Sequence, residues 1–166
     1  MSDGSTTPSS WPGFARVHGW RGIALGLLLV FAGYVVAVAA AVIVIVTIML
    51  APAALPDNGA QGSIFRMLAE MVPGMLVIGY FWTFICAFPG FVVAVVAGER
   101  LRWNRWQRYA YAGFVNAVPA LAIYGVLAGS PFGMPIMVLA SFPGGFAGGA
   151  AYWFVSGRFV GRRAGT

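Results

Sequence analysis

Charge is what this sequence has least of. Its 166 residues include four acids (Asp3, Asp57, Glu70, Glu99), one histidine (His18), no lysine and ten arginines. None of these groups falls inside the long apolar runs that make up most of the chain. An ionisable side chain in hydrocarbon costs at least about 2.5 kcal/mol and usually marks an ion pathway or proton relay. Its absence argues against a proton-coupled pump or a redox carrier built from one subunit. The same shortage argues against an enzyme: no Ser/His/Asp set, facing aspartates, HExxH motif or Cys/His cluster can be assembled. No catalytic residue, metal ligand or cofactor is therefore assigned. His18 stands alone and reads as a solvated interfacial side chain. The single cysteine, Cys86, excludes an intramolecular disulfide.

What fills the chain is apolar. Hydrophobic residues make up 60% and charged residues 8%, against roughly a quarter charged in soluble domains. Four apolar runs cover residues 23–50, 75–97, 109–127 and 136–156. A hydrocarbon layer about 30 Å thick needs roughly 20 helical residues at about 1.5 Å each, so each run is near or above spanning length. The fold class is all-α: an integral membrane protein of four transmembrane helices in two hairpins. Residues 1–20 form a Ser/Thr/Gly/Pro-rich tail with an interfacial aromatic segment, 21–157 the transmembrane domain, and 158–166 a basic tail. Ala51-Pro52-Ala53-Ala54 has the look of a signal cleavage site, but the run before it far exceeds the roughly 7–15 residues of a signal core, so the first span is expected to be retained.

The arginines set an orientation. Arg16 and Arg21 precede the first span, Arg100, Arg102, Arg105 and Arg108 fill the second connection, and Arg158, Arg162 and Arg163 follow the last span. The first connection has Arg66 alone, and the third has no charge. The positive-inside rule then places both termini in the cytoplasm. An all-arginine basic complement suits a GC-rich bacterial genome, hence a bacterial inner membrane. The formal charge of +6 is accounted for by topology and anionic head groups, each attracting a surface arginine by about 1 kcal/mol, and not by nucleic acid.

In the first connection Ile64, Leu68 and Met71 share a helical face. They predict a short interfacial helix between the first two spans, or one continuing into the second span through Pro73-Gly74. In the second connection Trp103 and Trp106 alternate with Arg100, Arg102, Arg105 and Arg108. Such a segment can lie on an anionic leaflet or dock a partner.

Polar side chains within the spans are few, chiefly Thr83, Cys86, Asn116, Tyr124 and Ser141. Asn116 precedes Pro119 by three residues, a pairing expected to bend the helix and free polar groups. A packing bond from Asn116 to Ser141 or Thr83 is one reading; a solute or ion site is the other. Gly144-Gly145-Phe146-Ala147-Gly148-Gly149 holds two overlapping GxxxG pairs, 144/148 and 145/149, a signature of close helix contact within or between chains. Val38, by contrast, is expected to face lipid. Phe88-Pro89-Gly90 and Phe142-Pro143-Gly144 recur in the second and fourth spans and hint at a duplicated hairpin.

These features favour a non-catalytic accessory, assembly or scaffold subunit that packs against a membrane protein partner or its own copies. The alternative is a small homo-oligomeric channel or carrier for an uncharged or weakly polar solute, with Pro89, Pro119 and Pro143 breaking helices near Asn116 and Ser141.

Overall fold

A computed structural model describes residues 20–51, 61–101, 103, 105–129 and 135–157, with side chains of 20–23 and 61–69 left aside. The expectations for residues 1–19, for Arg102 and for the basic tail lie outside the described residues. The described residues form helices and no strands: α1 (Trp20–Leu50), α2 (Gln61–Arg100), α3 (Trp106–Ala128) and α4 (Pro135–Tyr152), with a π-helical end at Trp153–Gly157. All four are long and apolar enough to cross a membrane. Large side chains such as Leu27, Phe81, Val93 and Val126 point outward, as they must where the solvent is hydrocarbon. The end of the bundle that carries Arg100 and Arg108 is called the basic end below, and the opposite one the far end.

The helices close a ring in which α1–α2, α2–α3, α3–α4 and α1–α4 are neighbours. The ring is uneven. α4 packs closely on α1 and α3, whereas α2 touches both of its neighbours more sparsely. Side-chain size explains the difference: α4 presents glycines inward, while α2 presents Trp82, Tyr80 and Phe84. Helices without side chains at the crossing approach until their backbones touch; bulky ones hold them apart.

The interfacial segment is not a separate helix. It is the first part of α2, which runs 40 residues through Pro73 and Pro89 without interruption. At about 1.5 Å per residue it reaches about 60 Å, twice the hydrocarbon thickness. Pro119 and Pro143 likewise sit inside α3 and α4, so the helix breaks expected at Pro89, Pro119 and Pro143 are absent. Each proline removes one N–H from the ladder, and the remaining bonds carry the helix past it. α3 ends at Gly129, whose φ of 65° is the left-handed cap that glycine adopts without a steric cost, and its N–H donates to Gly125 O.

Val38 is only 3% exposed. It belongs to a core with Tyr34 and Val42, against which Leu76, Tyr80 and Phe84 of α2 pack. The run 23–50 is apolar all round, so its pattern could not separate the lipid face from the packed face.

Candidate functional site: a cavity inside the bundle

The glycines of α4 divide their work between two neighbours. A β-carbon on Gly144 would come within 2.6 Å of Ile45 Cγ1 and 3.0 Å of Ala41 O, and one on Gly148 within 2.8 Å of Ala37 O, so this pair seats α1. β-Carbons on Gly145 and Gly149 would collide with Gly113 O and Tyr109 O, so the second pair seats α3. All four contacts lie within the chain. Gly33 completes the α1 seam: its β-carbon would fall 2.7 Å from Ser156 Cβ and against the Tyr152 ring.

With α4 drawn tight and α2 held off, a space is left inside the far half of the bundle. This cavity has a volume of about 520 Å³ and is walled by all four helices. It extends from Thr83, Asn116 and Gly145 at mid-bundle to Met49, Glu70 and Met71 at the far end. Its volume is in the range of small-molecule sites, which are mostly apolar with a few placed polar groups. The lining here fits that description. Four methionines (49, 71, 75 and 137) and Cys86 supply soft apolar surface, and Trp82 and Tyr124 meet edge to face at 5.7 Å. Thr83, Asn116, Tyr124 and Ser141 add polar atoms, and Glu70 carries the one formal charge among the described residues of the lining.

Three of the four residues of the expected polar or kink site, Thr83, Asn116 and Ser141, are thus brought to one cavity; the fourth, Pro119, is exposed on α3 and does not line it. The bonds differ from those expected. Asn116 Nδ2 donates to Ala87 O of α2 at 3.2 Å, and Ser141 Oγ donates to Met137 O of its own helix at 2.7 Å. Ser141 satisfies itself locally, as serines in apolar helices do, which leaves the backbone of α2 as the acceptor for Asn116. Asn116 Oδ1 is buried without a hydrogen-bond partner among the described residues and lies against Gly90, where a β-carbon would overlap it. Of the two Phe-Pro-Gly copies, each glycine therefore admits a neighbouring helix: Gly90 admits α3 and Gly144 admits α1.

Ala41, Thr83, Gly113, Asn116 and Gly145 also border a smaller space of about 80 Å³ toward the basic end. Beyond it the bundle is filled by aromatic rings. Tyr34 stacks at a tilt on Phe91 at 4.3 Å, Phe91 meets Tyr152 edge-on at 5.1 Å, and Tyr152 lies 5.7 Å from Tyr109. The Tyr34 hydroxyl donates to Phe84 O, tying α1 to α2 at this level. The interior is thus hollow toward the far end and closed by tyrosines toward the basic end.

The basic connection divides as well. Arg100, Arg105 and Arg108 are exposed, and Trp106 is exposed with its edge toward Phe146 at 6.2 Å. Trp103 turns inward instead. Its backbone N–H donates to Gly98 O at 2.9 Å and its ring meets Tyr109 edge-on at 5.6 Å.

The cavity itself gave little sequence signal. Gly33, Gly90 and Gly113 are isolated glycines in helical runs, and the methionines looked like ordinary apolar residues. Among the described residues, no group of three or more His, Cys, Asp or Glu side chains could hold a metal ion. No protein-family model, curated protein or solved structure matches the chain.

Proposed function

We propose that the protein is a small multi-pass carrier or receptor that holds a largely apolar solute in the bundle cavity. The observation that carries this reading is the 520 Å³ space itself, hydrophobic in its walls and bordered by Thr83 and Asn116 at its inner end. The ring of Tyr34, Tyr109 and Tyr152 is the inner closure. Both termini face the cytoplasm of a bacterial inner membrane, so the far end opens outward, and the exposed arginines of the basic connection hold anionic head groups. Neither a cofactor nor catalysis is part of this reading.

Binding of an uncharged fluorescent apolar probe, N-phenylnaphthylamine, to the protein in nanodiscs tests it. Gly79 borders the cavity, and a β-carbon there would make an ordinary 3.6 Å contact with Val42 Cγ1. Gly79→Leu should therefore take up part of the cavity and weaken saturable binding, in a variant that still elutes as a single species. Equal binding by the wild type and the variant would sink the proposal.

An accessory or scaffold role is the second reading. The spanning part of α2 is the least buried of the four, and Phe81, Ile85, Phe88 and Val92 lie on its outer surface, a face that another membrane helix can cover. A stoichiometric membrane partner in mild detergent would favour this reading; a clean homo-oligomer would favour the carrier.

A further inference from the structure

The cavity has one sign of charge at one place. Glu70, an exposed side chain, lies in its far-end lining one helical turn before Gly74, and the other described lining residues are neutral. The walls deeper in the cavity, reached at Trp82 about 18 Å further along α2 at about 1.5 Å per residue, are those that favour a polarisable cation. Trp82 and Tyr124 offer ring faces and edges, and a cation over such a ring gains about 0.5–2 kcal/mol. Sulfur is concentrated here: five of the eight sulfur-bearing residues of the chain, which has seven Met and one Cys, border this space. Thioethers pack well on aromatic rings and adapt to irregular shapes. A carboxylate, an aromatic pair and flexible thioethers line a pocket in which no cationic side chain occurs among the described residues. They select a molecule that carries positive charge on a broad apolar body.

We propose that the solute of the cavity is an amphiphilic aromatic cation, with its charge delocalised over or shielded by apolar groups. Its body lies in the methionine- and Trp82/Tyr124-lined space, its charged part is oriented toward Glu70, and Thr83 and Asn116 limit how deep it goes. A compact, strongly hydrated cation is excluded, because the inner part of the cavity offers too few oxygens to replace its water. The inference rests on the cavity reading above and adds the charge of the ligand to it.

The experiment uses the full chain in nanodiscs of zwitterionic phosphatidylcholine, so that anionic lipid does not gather the probe. Binding of tetraphenylphosphonium by equilibrium dialysis is compared with binding of neutral N-phenylnaphthylamine, for wild type, Glu70→Gln, Glu99→Gln and Gly79→Leu, each first shown to elute as a single species. Glu70→Gln should weaken tetraphenylphosphonium about fivefold or more, the scale of one partly screened charge pair, and leave the neutral probe unchanged. Glu99→Gln, an exposed acid at the basic end, should alter neither, and Gly79→Leu should weaken both. If Glu70→Gln leaves cation binding intact while Gly79→Leu still weakens both probes, the charge selection is overturned and the cavity reading stands. If neither probe binds, or both bind regardless of Gly79→Leu, the cavity reading falls together with it.

Discussion

Gly113 of α3 and Gly145 of α4 meet backbone to backbone, each leaving room for the carbonyl oxygen of the other, so that a β-carbon on either would collide. Gly149 makes the same approach to Tyr109 one turn further on. This close approach of α3 and α4 borders both internal spaces.

Gly145→Ala and Gly148→Leu should each destabilise the bundle by about 1–3 kcal/mol, the usual cost of overpacking where backbone cannot give way. Gly74 has nothing within 4 Å of the position a β-carbon would take, so Gly74→Ala should be neutral or slightly stabilising. The outward-facing Val36→Leu should also be tolerated, whereas the buried Val38 should not accept a larger side chain freely. Thermal unfolding in detergent reads all of these. Equal transition temperatures for Gly145→Ala and Gly74→Ala would mean that the α3–α4 contact is not close.

Asn116, which lines the smaller space, bridges α3 to Ala87 O of α2. Replacing it with leucine removes the bond and should cost about 0.6–2 kcal/mol. Gly90→Ala should have a similar effect by displacing the amide. If the two act through one contact, the double variant is less destabilised than the sum of the singles. Strict additivity would separate them.

Fusions of a topology reporter at Thr166 and near Asn58 should report opposite sides of the membrane, with Thr166 cytoplasmic. The same signal from both would reject the proposed orientation.

Neutralising Arg100, Arg105 and Arg108 together should weaken retention of anionic lipid or invert part of the population, since each charge contributes about 1 kcal/mol at an anionic surface. Trp106→Ala should add to that loss. Trp103→Ala should instead lower stability, because its ring packs inward beside Tyr109. Unchanged lipid retention would assign the arginines to a protein partner.

The four helices could be read from the sequence because spanning length and the exclusion of charge are local properties of the chain. The adjacent glycine pairs of α4 could be read as contact surface, but not as two surfaces serving two helices: that depends on which side α1 and α3 occupy. Asn116, Thr83 and Ser141 could be singled out as rare polar groups. Their gathering at one cavity could not, because it arises from the unequal spacing of α2 and α4 around the ring. Val38 shows the same limit. In a helix apolar on every face, hydrophobicity no longer distinguishes lipid from protein, and only the neighbours do.

Cys86 supplies the most direct test of the central claim. Its thiol is buried and borders the cavity, and it is the single cysteine of the chain. The measurement is its rate of modification by a small uncharged thiosulfonate in nanodiscs, with and without saturating N-phenylnaphthylamine. The account predicts a measurable rate in the empty protein that falls about tenfold or more when the probe occupies the space, and a smaller protection by the same probe concentration in Gly79→Leu. A thiol that does not react in the empty protein, or that reacts at one rate whether or not the probe is bound, would contradict a solute site inside the bundle.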